Sequence, residues 1–167
     1  MNGKYVAIEI VGLTVMNTLE KEMLSLLKRG RDQYGFTAVR AEFEAEGARS
    51  EELMRLLELG YRADLNLTIK IGGCEAITDL QRAKQLGAKS IIAPMIESVF
   101  ALNKYLQSID RVCDEAAKQE MEFFFNIETI QGYENREAIC ARAKEKGITG
   151  VVFGRVDFCA SLNQSRI

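Results

Sequence analysis

Between residues 36 and 44, FTAVRAEFE places Val39, Ala41 and Phe43 on one side of an extended chain and Arg40, Glu42 and Glu44 on the other, because successive side chains of a strand point to opposite faces. The same two-residue period returns in ADLNLTIKIGG (63–73), where Leu65, Leu67, Ile69 and Ile71 oppose Asn66, Thr68 and Lys70. It returns again in EFFFNIET (122–129), where Phe123, Phe125 and Ile127 oppose Asn126 and Glu128. ITGVVFGRVDF (148–158) reads as a further strand with Val152 and Val156 on the apolar side and Arg155 and Asp157 on the polar one, and SIIAPMIE (90–97) as another. Between these segments the period changes to that of a helix. Leu19, Met23, Leu26 and Leu27 fall on one face of residues 18 to 30, and Leu53, Leu56 and Leu57 on one face of a helix capped by Ser50 and closed at Gly60. Residues 75 to 86, 98 to about 119, and 133 to 146 predict three more helices, and YVAIEIVGLTVM (5–16) reads as a strand or strand-like entry.

Strand starts near residues 37, 64, 90, 122 and 148 recur at roughly thirty-residue intervals with a helix in each gap, the rhythm of right-handed βαβ crossovers and a parallel sheet. A doubly wound open sheet is apolar on both faces of its strands. Here four strands carry one apolar face and one face of ionisable or amide groups, which predicts an α/β fold of the (β/α)8 barrel type with a polar mouth. In such a barrel the active site lies at the C-terminal ends of the strands, and Glu128, the one charge closing an otherwise buried run, faces that mouth. A full barrel takes about 250 residues, so the 167 residues present are expected to form a single, C-terminally incomplete barrel domain of five to six βα units. An open parallel sheet exposes edges and an uncovered face, so self-association is expected, with the chain a truncated product, a fragment or half of an assembly.

Composition narrows the chemistry. An apolar share of 47%, 28% charged residues and one proline describe a globular chain, and a net charge of −2 without a basic block disfavours nucleic acid as a partner. The run at 5–16 carries Glu9 and is too short to span a bilayer, so no membrane role is expected. The four cysteines, Cys74, Cys113, Cys140 and Cys159, form no paired motif and read as reduced thiols of a cytoplasmic protein, with Cys74 and Cys159 nearest the predicted mouth. Because the chain contains no histidine, any acid or base must be a carboxylate, lysine, cysteine, tyrosine or water.

Three segments in order, SIIAPMIES, NIETIQGYEN and GVVFGRVDFCASL, resemble the HpcH/HpaI aldolase and citrate lyase β-subunit family over roughly residues 36 to 165. The resemblance implies a metal-dependent carbon–carbon lyase that forms or cleaves a bond next to a 2-oxo acid or acyl enolate. It implies Mg²⁺ or Mn²⁺ held by Glu128 and Asp157, with waters and the substrate carboxylate completing an octahedron. Family members place an arginine on the strand that here reads TIKIGG, so Lys70 takes the enolate-stabilising position without the planar fork of arginine. The family's aldolases also use a histidine near RAEFEAEG; this chain has none, which leaves Glu42 or Glu44 as proton acceptor with Arg40 as an ion-pair partner.

Other readings stand beside these. Lys70 either acts on the substrate or pairs with Glu42 or Glu128; as a free amine it would form a Schiff base with a carbonyl substrate. Arg155 contacts substrate or pairs with a neighbouring glutamate. Gly72 and Gly73 form an anion-binding turn ahead of a helix or a plain βα turn, and Ser161 touches the substrate carboxylate, orients its loop or caps a helix. A third reading is non-catalytic, the incomplete barrel serving as an assembly or binding module.

Overall fold

The computed structural model describes residues 16–165; the strand expected at 5–16 lies almost wholly outside them. Five parallel strands form one sheet in the order β1-β2-β3-β4-β5: β1 (Ala38–Glu42), β2 (Asn66–Lys70), β3 (Ser90–Ala93), β4 (Glu122–Ile127) and β5 (Gly150–Phe153). Eight helices, α1 (Thr18–Tyr34), α2 (Ser50–Arg62), α3 (Ile77–Gln85), α4 (Val99–Val112), α5 (Glu115–Glu120), α6 (Ile130–Glu134), α7 (Arg136–Glu145) and α8 (Arg155–Ser161), precede, link and follow the strands. Sequence order equals spatial order, as expected of sequential crossovers that build a barrel wall.

The apolar faces predicted from the alternation form the core. Val39, Ala41, Leu67, Ile69, Ile91 and Phe125 are all buried against the inward faces of the helices, where Leu53 of α2, Leu80 and Ala83 of α3, Leu102 of α4 and Ile139 of α7 are almost wholly enclosed. Tyr105 of α4 is fully buried, its hydroxyl donating to the Ile91 carbonyl at 3.5 Å, and burial pushes its pKa well up. Burial likewise raises the Cys113 thiol. All four cysteines are free, Cys113 and Cys159 buried and Cys74 and Cys140 partly so. The opposite, concave face is lined by Asn66, Thr68, Ser90, Glu122, Phe124 and Val152, which border an open trough of about 500 Å³.

The helices begin and end where the side chains allow. Asn17 accepts the Glu20 amide while the Glu20 carboxylate accepts the Asn17 amide, a capping box that opens α1; at the other end Gly35, at φ 71°, takes the left-handed position that closes the helix. Asn17→Ala should lower the free energy of unfolding by about 1 kcal/mol, visible as a lower urea midpoint at unchanged slope.

Several boundaries differ from the sequence expectation. The helix expected from 98 to about 119 is two, because Asp114 turns its carboxylate onto the Ala117 amide and starts α5 afresh. Residues 133 to 146 divide similarly, with Asn135 between α6 and α7. The N-cap of α2 is Arg49, not Ser50, which is its first residue. The largest difference lies in 148–158: β5 stops at Phe153, and Arg155 and Asp157 belong to α8. They share no strand face, Val156 is 45% exposed, and Val152 sits on the concave face, in register with Asn126. Gly154 is the reason: its amide donates to the Ile127 carbonyl as the last rung beside β4, and its carbonyl accepts the Phe158 amide as a first turn of helix.

Candidate active site

At the C-terminal end of the sheet, three polar side chains of the concave face meet. Parallel register sets Glu42 of β1 beside Lys70 of β2. Lys70 Nζ lies 3.6 Å from Glu42 Oε2 and also 3.6 Å from Glu128 Oε2, so it reaches past the end of β3 to a residue two strands away. Arg40 pairs with Glu42 from the solvent side. The sequence reading that Lys70 pairs with Glu42 or Glu128 is therefore met by both partners at once.

Glu128 is 2% exposed, and a buried carboxylate requires partners. Oε1 accepts the Met95 backbone amide at 2.9 Å, and Oε2 accepts Asn126 Nδ2 at 2.7 Å. Met95 supplies that amide from φ 48°, a left-handed conformation that costs a non-glycine residue about 1–3 kcal/mol and persists only where its surroundings impose it. Gly154 closes the site from the other side: a Cβ there would stand 2.4 Å from both Glu128 Cβ and Oε2. Asn126 is as buried as Glu128, and its Oδ1 has no hydrogen-bond partner among the described residues.

Above this cluster opens a cavity of about 560 Å³ bordered by Glu42, Glu44, Lys70, Gly72, Gly73 and Asp157, with Cys74, Pro94 and Met95 also on its wall. Sequence reasoning thus named six residues that share one cavity. Glu44 is exposed at the rim. The Gly72 amide donates to Asp79 Oδ2 at 2.8 Å, so the turn's first amide serves the fold, and a Cβ at Gly72 would lie 2.4 Å from Glu44 Cγ. Ser161 accepts the Ile130 amide at 3.0 Å and donates to the Phe158 carbonyl at 2.7 Å, which ties α8 to the start of α6: the loop-orienting role. Arg155 is exposed and makes no ion pair among the described residues. Sequence reasoning gave no role to Met95, Asn126, Asp79 or Gly154; Asn126, two residues before Glu128 on the same face, and the glycine before Arg155 were the available signals.

The charged acceptors around the cavity are carboxylates, donors that suit a hard cation. Among the described residues no three His, Cys, Asp or Glu side chains stand close enough to share an ion, which does not suit a protein-filled tetrahedral site. Mg²⁺ and Mn²⁺ prefer oxygen, and Mg²⁺ is usually held by only one or two carboxylates, with waters and substrate completing the shell. The cavity wall carries the carboxylates of Glu42, Glu44 and Asp157 against the one ammonium of Lys70, with Glu128 buried behind it, a surplus of negative charge that suits a hard cation.

A family model for HpcH/HpaI aldolase/citrate lyase matches residues 51–167. The chain belongs to that family. Among solved structures, an HpcH/HpaI aldolase from Desulfitobacterium hafniense DCB-2 is similar at 16% identity and a TM-score of 0.63, over 84% of this chain and 61% of that one. An HpcH/HpaI aldolase/citrate lyase family protein from Burkholderia cenocepacia J2315 is similar at 17% identity and a TM-score of 0.68, over 86% and 63%. The citrate synthase SbnG is similar at 19% identity and a TM-score of 0.64, over 86% and 60%. The chain spans about three fifths of the length of these structures, which fits an incomplete barrel. No protein of curated function matches the sequence. Among the described residues no helix is long and apolar enough to cross a membrane.

Proposed function

We propose that this family member is a metal-dependent carbon–carbon lyase acting next to the carbonyl of a 2-oxo acid or acyl substrate. The observation that carries the reading is Glu128: a carboxylate buried at a strand end, fixed by the Met95 amide and Asn126 and paired with Lys70, which together with Asp157 lines the neighbouring cavity. Glu128 and Asp157 would hold Mg²⁺ or Mn²⁺. A bound divalent cation supplies Lewis-acid polarisation of the substrate carbonyl.

The chain's own groups do the rest. Lys70 presents a positive charge where an enolate oxygen develops, and such pre-positioned charge in a water-poor site acts on the transition state more strongly than in solvent. Its two carboxylate neighbours use it as a cation, which favours this role over attack on a carbonyl as a free amine. Glu42, within reach of Lys70 and open to the cavity, would accept a proton from the carbon next to the carbonyl, the sequence having no histidine; Glu44, at the rim, would relay it to solvent. Arg155, exposed on the first turn of α8 two residues before Asp157, would meet the outer end of the substrate.

Enolisation is the half-reaction that needs no acceptor. With Mn²⁺ or Mg²⁺ present, the methyl protons of pyruvate are expected to exchange with D₂O in the presence of the protein, followed by NMR, and to stop exchanging when a chelator is added. Exchange no faster than in buffer, across pyruvate and longer 2-oxo acids, would remove the proposal.

A further inference from the structure

Lys70 is the one cation on the cavity wall among the described residues, and its position is unusual for an ion pair. Nζ stands 3.6 Å from Glu42 Oε2 and 3.6 Å from Glu128 Oε2, beyond the roughly 2.7–3.2 Å of a closed hydrogen bond on either side. The ammonium stands at the same distance from both carboxylates and closes a short hydrogen bond with neither. We infer that Lys70 is a resident counterion that competes with a divalent cation for Glu128, so that metal loading requires its ammonium to withdraw toward Glu42.

This rests on the metal reading above. Glu128 Oε1 is held by the Met95 amide, whereas Oε2 is where Lys70 and Asn126 converge, so Oε2 is the contested atom. An ammonium and a divalent cation beside the same buried oxygen repel each other strongly, because little water separates them. Lysine is suited to yielding, since its point charge rides on a flexible stem, and Glu42 offers a second partner at equal distance. The site therefore balances its buried acid charge without metal and accepts metal at the cost of displacing its own cation.

Mn²⁺ titrations followed by electron paramagnetic resonance of the free ion test this in the wild type, Lys70→Gln and Lys70→Arg. Removing the competing charge should tighten Mn²⁺ binding about tenfold or more in Lys70→Gln, while Lys70→Arg, which keeps the charge, should stay within a few-fold of wild type. Equal or weaker binding by Lys70→Gln overturns the competition and leaves the metal reading standing; no binding by any of the three overturns both. Should Lys70→Gln not hold its fold alone, Mn²⁺ should restore its helical circular dichroism below the wild-type dissociation constant, and failure to do so counts against the proposal as weaker binding does.

Discussion

Gly154→Ala is expected to destabilise the protein by about 1–3 kcal/mol, the usual range for adding volume to a packed site, and to displace Glu128 from its partners. A Cβ at this position would stand 2.4 Å from Glu128 Cβ and from Oε2, well inside any contact a carbon makes. Neither side yields easily. Gly154 is fixed by the hydrogen bond its amide donates to the Ile127 carbonyl and by the turn that begins α8, and Glu128 by Met95 and Asn126. The added methyl also pushes on the carboxylate oxygen nearest Lys70. Chemical denaturation should show the lost stability, and Mn²⁺ titration the lost site. A Gly154→Ala protein with wild-type stability and metal affinity would show that Glu128 is not held as described.

Glu128→Gln carries the second large effect. On the proposed reading it removes half of the metal's protein ligands, and Mn²⁺ affinity and pyruvate proton exchange should both fall by at least the 10–100-fold that even the partners of metal ligands are worth. It also takes one of two counter-charges from the buried ammonium of Lys70. Breaking a buried ion pair by removing one partner costs about 3–5 kcal/mol, and the remaining bond to Glu42 should hold the loss to the lower part of that range. The two readouts separate the roles. Lost stability with undiminished metal binding would leave Glu128 as a structural partner of Lys70 alone, and the cation would have to be sought elsewhere in the cavity.

Much of this architecture was legible along the chain. The alternation of Val39 with Arg40, of Leu67 with Thr68 and of Phe125 with Asn126 announced strands with one apolar and one polar face, and the glycines at Gly87 and Gly147, both at φ 70°, marked turns where helices close. These features are local: they follow from side-chain period and from backbone conformations that glycine adopts at little cost. The same logic failed where local pattern is ambiguous. VVFGRVDF alternates as a strand does, but whether it continues beyond Phe153 depends on whether β4 offers another carbonyl in register, and after Ile127 none follows. Nor does hydrophobic period reveal a restart such as the one Asp114 imposes, since α5 spans only Glu115–Glu120, under two helical turns and too short for a period of its own.

By itself, then, the sequence determined the parallel βα rhythm, the apolar core faces and the set of polar residues Glu42, Lys70 and Glu128 at the strand ends. Only the tertiary structure decided how these relate. Lys70 reaches past the end of β3 to stand at equal distance from two carboxylates, a left-handed turn at Met95 aims an amide at Glu128, and a missing side chain at Gly154 leaves room for it. The physical reason is range. Periodicity and capping act within one element, whereas the partners of a buried charge come from β1, β2, the β3 turn and β4, and only packing brings them within a few ångströms.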